Sequence, residues 1–327
     1  MNTDLIPAEG HVVCVGETMA ALAPDPPEPL EDADRLRLAV AGAESNVAMY
    51  LAGHGMPAVW LSAVGDDPLG RRVLTAVSAA GVDVSYVRTD PHRPTGLMVK
   101  NPGPDGTRVH YYRSGSAASA LGPELLVREP VTSARLLHFS GITPALSTSC
   151  RALMDRALEP SPARRPYAVS FDVNHRAALW PADVAAPVLR RLADEADIVF
   201  VGLDEAQELW GRYLNAEEVR GLLPGPRVVV VKDGARAATA FTSDGSATVP
   251  ALRTRVVEPV GAGDAFAAGF LTGVLRGDTP ARALRLGHIT AASALRVTAD
   301  HGPLPSPQKT ERLLGLPEGE WQPVTGR

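Results

Sequence analysis

Tyr167 to Leu203 reads YAVSFDVNHRAALWPADVAAPVLRRLADEADIVFVGL, and its three parts set the fold class. YAVSFDVN, from Tyr167, and DIVFVGL, from Asp197, are apolar on successive positions, as strands are when both faces of their sheet are covered. Between them PADVAAPVLRRLAD, from Pro181, opens with Pro and continues in a helical pattern. A strand, a helix and a strand in this order form a crossover unit, whose two strands run parallel.

The same alternation extends outward. HVVCVGE from His11, AVWLSAVG from Ala58, LLHFSGI from Leu136 and RVVVVKDG from Arg227 read as further strands. ESNVAMYLAGHG from Glu44 and PLGRRVLTAVSAAG from Pro68 read as helices. The prediction is an α/β fold: a mostly parallel central sheet with helices on both faces. One segment breaks the rhythm. TGLMVKNPGPDGTRVHYYR, Thr95 to Arg113, is two extended runs around a Pro/Gly/Asp turn, the pattern of a hairpin. With part of Met19–Val40 it is expected to form a small β-lid over the ends of the main strands, spanning about 19–40 and 92–114. LAPDPPEPLEDAD, from Leu22, is Pro-rich and acidic and reads as an exposed excursion. The whole chain, 1–327, is expected to be one domain, with 317–327 a loosely held tail.

Composition narrows the partners. With 45% hydrophobic and 21% charged residues the chain has the makings of a packed core. Its formal charge of −5, from 32 basic and 37 acidic side chains, offers no global field for nucleic acid or acidic lipid, so any anionic ligand must be held by local groups. Cys14 and Cys150 cannot make a disulfide framework and read as reduced, buried thiols. The opening MNTDLIPAEG lacks the basic start and apolar stretch of a signal peptide, and no run is long enough to span a bilayer, so a cytoplasmic location is expected.

The chemistry concentrates in VVEPVGAGDAFAAGFLTGVL, Val256 to Leu275. Pro259 breaks the preceding element; Gly261, Ala262 and Gly263 are small enough for backbone N–H groups to face outward; Phe266, Phe270 and Val274 then repeat at spacing four along a helix. Unpaired N–H groups at a helix start bind anions. Asp264 there has two readings: a helix N-cap, or a general base that takes a hydroxyl proton while the amides hold a phosphoryl group. A dinucleotide fingerprint fits poorly, because Phe266 occupies the third glycine position, and the chain contains no G-x-x-x-x-G-K-[ST] phosphate loop.

PVGAGDAFAAG resembles the C-terminal signature of PfkB-type, ribokinase-like carbohydrate kinases, and AVAGAESNVAMYLAGHG with LSAVGDDPLG resembles their N-terminal signature. The resemblance runs from about His11 to His301 and implies a large α/β domain with a β-lid, ATP and Mg²⁺ as cofactors, and room for a monovalent cation. It implies Asp264 as the base, with Gly261, Ala262 and Gly263 as the anion hole. Lys232, Gly234 and His288 match positions near the nucleotide, and Glu205 matches the metal-associated end of an N-x-x-E motif whose Asn is here Gly202. Glu258 stands where the family usually has Asp, and His288 where an Asn often lies.

Within the family the text is similar to 2-keto-3-deoxygluconate kinases, in HYYRSGSAASAL from His110, SGITPALS from Ser140 and DVNHRAALW from Asp172. That similarity implies that Gly42, Asn46, Tyr111, Arg113 and Arg176 approach the sugar. A sugar acid brings a carboxylate, which the planar fork of an arginine matches with two charge-assisted hydrogen bonds. Without that context both arginines read equally well as surface residues. Tyr111 and Tyr112 alternate across a strand, and Tyr111 shares its face with Arg113. Met98 stands where related kinases often carry a Tyr. The expected reaction phosphorylates the terminal hydroxyl of a keto-sugar acid. The alternatives are a neutral ketose or nucleoside acceptor, and a silent sugar-binding protein on the same scaffold. An exposed lid edge also makes a homo-oligomer the expected assembly.

Overall fold

The computed structural model describes residues 6–104, 106–159 and 165–321. Its main sheet has eight strands, in the spatial order Gly245–Pro250, Ala237–Thr242, Val228–Asp233, Ile198–Gly202, Ala168–Asp172, Ala134–Ser140, His11–Val15, Ala58–Leu61. From Val228–Asp233 to Ala58–Leu61 every pairing is parallel, as the continuous apolar runs require. Successive residues of one strand enter opposite cores. Val12 and Cys14 pack with Trp60, Phe200 and Phe270 on one face, while Val13 and Val15 pack with Leu61, Phe139 and Leu189 on the other. Burying one such side chain contributes roughly 1.5–3 kcal/mol, so both layers are needed to hold the sheet. Both cysteines are free and buried, and burial pushes their thiols up.

Two strands at the sheet's edge escaped the sequence reading. Ala237–Thr242 and Gly245–Pro250 form an antiparallel hairpin added to Val228–Asp233. Its turn does carry a legible signal, Asp244-Gly245, with Gly245 at φ 122. The strand itself, AATAFT, is alanine-rich and of weak β propensity.

A second sheet of four strands has the order Leu36–Ala41, Met19–Pro24, Leu97–Gly103, Gly106–Tyr112. The predicted hairpin is its outer half, with Gly103 opposite Gly106. Met19, Ala21, Ala41 and Met98 make its small apolar face, with Val109 and Tyr111 packed against them. At the far end of the chain, the tail expected to be loose is held as far as Trp321. That ring is 2% exposed, donates from Nε1 to Pro250 O at 2.8 Å and lies under the Arg285 guanidinium. Residues 322–327 of that expectation lie outside the described residues. Among the described residues no helix is long and apolar enough to cross a membrane.

Candidate active site

The parallel strands end on a cavity of about 500 Å³, with the small sheet as its opposite wall. Side chains gather there because loops at the carboxyl ends of parallel strands diverge and leave a crevice. Ala168–Asp172 delivers Asp172 and, just beyond, Asn174 and Arg176; Ile198–Gly202 leads to Glu205; Val228–Asp233 carries Lys232 next to its end. The small sheet adds Met98, Val109, Tyr111 and, at its end, Arg113.

Gly261 settles the open question about Asp264. The Ala262–Leu275 helix is capped by Gly261 itself, at φ 83, so Asp264 sits inside the first turn and is not the cap. No larger residue fits at 261: besides the left-handed backbone, a Cβ would stand 2.4 Å from Asp300 O. The Ala262 N–H closes the turn onto Pro259 O at 3.3 Å. Ala262 therefore gives its amide to the turn rather than to an anion, and the amides pointing out of the helix start are those of Gly263 and Asp264.

Asp264 is 9% exposed and lines the cavity. Its two oxygens accept from Asn46 Nδ2 at 2.9 Å and from Asn174 Nδ2 at 3.4 Å. Burial, with repulsion from Asp172 and Asp300, pushes its carboxyl up to about 7; Asn46 and the Arg176 charge pull the other way. Asn46 is itself placed by the Ala43–Gly53 helix, whose start at Gly42 lies so close to the link after the first strand that a Cβ would be 2.5 Å from Glu17 O. Glu44, fully buried, fastens this helix by accepting from Ser140 Oγ at 2.6 Å and Thr143 Oγ1 at 3.0 Å.

The charged groups pair across the cavity floor. Lys232 Nζ reaches both oxygens of Asp172, at 2.8 and 3.1 Å, which raises its pKa against the opposing effect of burial. Glu205 accepts from the backbone N–H of Gly202 at 3.1 Å and from that of His175; burial and Asp172 push it up to about 7 despite Lys232. Among the described residues no group of three or more His, Cys, Asp or Glu is set to hold a metal ion. The carboxylates of Asp204, Glu205 and Glu208 along the cavity are nonetheless hard oxygen donors, and Mg²⁺ carried by nucleotide phosphates needs only one or two of them.

Besides Ala262, whose amide closes the turn, two residues named from the sequence are not brought to this cavity. His288 is 6% exposed, bonds Val249 O at 3.0 Å and stands edge-on to Phe266; burial lowers its pKa to about 4. It is a core residue of the Pro280–Ala294 helix. Gly234, at φ 51, forms an exposed turn outside the cavity wall. Gly42, Asn46, Tyr111, Arg113, Arg176, Glu205, Lys232, Gly261, Gly263 and Asp264 all line it. Tyr112 is 65% exposed on the opposite face of its strand.

Arg113 departs from expectation in its partner. Its Nε and Nη2 are both committed to Glu17, 2% exposed, whose other oxygen accepts from Ser116 Oγ. Its fork is therefore occupied within the protein, whereas Arg176 is exposed at the cavity with Nη1 on its neighbour's carbonyl, His175 O, at 3.0 Å. Glu17, Asp172 and Asn174 were not singled out from the sequence. The signal was a charged or amide residue at the end of an apolar strand or two residues beyond it, where a parallel sheet opens its crevice.

A parallel sheet with a lining of carboxylates, a glycine-capped helix start and a second sheet facing it is an arrangement suited to phosphoryl transfer onto an alcohol. The chain belongs to the pfkB family of carbohydrate kinases, whose profile matches residues 9–307. It is 36% identical over 317 residues to the 2-dehydro-3-deoxygluconokinase of Thermoproteus tenax, covering 94% of this chain and 96% of that one. It is 33% identical to the 2-dehydro-3-deoxygalactonokinase of Haloferax volcanii, covering 93% and 96%. The crystal structure of a PfkB protein from Polaromonas sp. JS666 superposes with a TM-score of 0.80 at 35% identity, covering 89% of this chain and 98% of that one.

Proposed function

We propose that the protein transfers the γ-phosphoryl group of ATP to the terminal hydroxyl of 2-keto-3-deoxygluconate, giving the 6-phosphate, with Asp264 as general base. The observation that carries this reading is the Asp264 carboxylate itself. It lines the cavity beside the outward amide of Gly263, is steadied by two carboxamides, and is pushed by burial up to a pKa of about 7. Such a group is ionised often enough at neutral pH to accept a proton, and basic enough to do so usefully. Phosphoryl transfer asks for position and charge more than covalent chemistry. The turn at Gly261–Gly263 would hold the transferring group, Lys232 lies 3.6 Å from where a Gly263 Cβ would be, and Mg²⁺ would supply charge neutralisation between the phosphates near Glu205.

The small sheet acts in this reading as a lid within one kinase domain. Tyr111 meets the sugar hydroxyls, Gly42 and Asn46 close in from the helix start, and Arg176 takes the carboxylate, with Arg113 fixing the lid's end through Glu17. The enzyme works in the cytoplasm, as a homo-oligomer joined through one of the two outer strands of the small sheet, Leu36–Ala41 with Leu36 exposed or Gly106–Tyr112 with Tyr112 exposed.

A second reading replaces the acceptor by its C4 epimer, favoured by the similarity to the galactonate-type kinase. ADP release measured with both keto-deoxy acids, fructose, ribose and adenosine separates these readings. Turnover at least tenfold faster with one keto-deoxy acid than with any neutral sugar is the expected result; preference for a neutral acceptor would overturn the acid assignment. Replacing K⁺ by tetramethylammonium in the same assay reads whether a monovalent cation is required.

A further inference from the structure

Lys100 lies mid-strand in Leu97–Gly103, yet its side chain is buried: the residue is 5% exposed and its Nζ meets Asp300 Oδ1 at 3.0 Å. Asp300, 6% exposed, follows the Pro280–Ala294 helix, 200 residues away along the chain. Its backbone carbonyl is the atom that a Cβ at Gly261 would strike, and Asp300 lines the same cavity as Asp264. Just beyond, the Gly302 N–H donates to Tyr50 Oη at 2.8 Å, and the Tyr50 ring lies 4.3 Å from that of His301. Tyr50 belongs to the same Ala43–Gly53 helix as Asn46. The segment 300–302 is thus gripped from the small sheet on one side and from the Asn46 helix on another, and it backs the Gly261 turn.

A buried ion pair across two structural units adds little net stability, because desolvating both charges offsets their attraction. What it does secure is register: only one seating of the small sheet satisfies both charges. We infer that Lys100 is a positioning residue, which through Asp300 couples the seating of the lid over the sugar to the arrangement of the anion-binding turn. The inference rests on the kinase reading above. Its signature is mutual: a sugar acid that seats the lid tightens nucleotide binding, and the nucleotide tightens sugar binding by the same factor.

Calorimetric titration of the full-length protein with Mg·AMP-PNP, alone and with saturating 2-keto-3-deoxygluconate, reads this factor. Wild type is expected to show a tightening of about tenfold. Lys100→Met alone strands a buried carboxylate and costs stability, so the neutralised pair Lys100→Met/Asp300→Asn carries the test, with Lys100→Arg as the charge-keeping control. The double variant should still bind each ligand alone while its tightening falls below about twofold, and Lys100→Arg should keep most of it. A double variant with the wild-type ratio, or a wild type with no mutual tightening, overturns the inference. Binding of AMP-PNP without binding of the keto acid would instead remove the substrate assignment. The ratio is then read with whichever acceptor the ADP-release panel identifies.

Discussion

The turn at Gly261 and the small sheet face each other across one cavity and are built in opposite ways. Behind the turn, every residue from Asp264 to Val274 is buried, and the helix they form packs along its length on Pro280–Ala294. The small sheet has an apolar face of four buried residues and is tied to the rest of the chain by two buried ion pairs, Arg113 with Glu17 and Lys100 with Asp300. Local opening costs least where few apolar contacts must be broken. One wall is therefore a fixed reference for chemistry, and the other can adjust to what it covers.

Four measurements would break or sharpen this contrast. Asp264→Asn tests the fixed wall: kcat should fall about a thousandfold with folding intact, and a variant that keeps its turnover takes Asp264 out of the base role. Arg113→Ala tests the adjustable wall. It leaves Glu17 buried and unpaired, so the melting curve should record a loss of roughly 3–5 kcal/mol, whereas Arg176→Ala should leave stability nearly unchanged and raise KM for the keto acid about tenfold to a hundredfold. Equal effects of the two substitutions would contradict the division of roles between these arginines.

The third measurement concerns charge. In the folded state Asp264 binds its proton more tightly than in the unfolded chain, so the wild type loses stability as pH rises from about 4 through about 7. Asp264→Asn should be more stable than wild type by about 1–3 kcal/mol at pH 8, with the difference gone near pH 3. In the active enzyme kcat should fall on the acid side of about pH 7, and no such limb would mean that the base is another group. The smallest effect is expected from Tyr111→Phe, about a fivefold rise in KM from one lost hydrogen bond, against none for Tyr112→Phe on the outer face.

The sheet was legible because both its faces are covered, which writes uninterrupted apolar runs into HVVCV, IVFVG and VVVV. The Pro/Gly/Asp turn made the Leu97–Tyr112 hairpin equally plain, whereas AATAFT, at the sheet's edge, had too few β-branched residues to declare itself. In the site, the small residues before Asp264 advertised a turn with outward amides; which amides remain outward depends on a bond from Ala262 to Pro259 that no pattern records. The buried pairs were hidden for a different reason. Asp172 and Lys232 stand 60 residues apart, Glu17 and Arg113 96 apart, and local spacing carries no information about partners brought together by topology. His288 shows the converse: its position on a helix gave no hint that the ring turns inward to Val249.

The raised proton affinity of Asp264 bears finally on how the phosphorylated acid leaves. In the reaction proposed above Asp264 would end the transfer protonated and neutral, and so would tolerate the new phosphate ester beside it. Burial already raises its proton affinity and the ester dianion would raise it further, so the proton would leave only as the product moves away. The carboxylate restored on release would repel the dianion, so the burial that prepares the attack would also disfavour rebinding of the product.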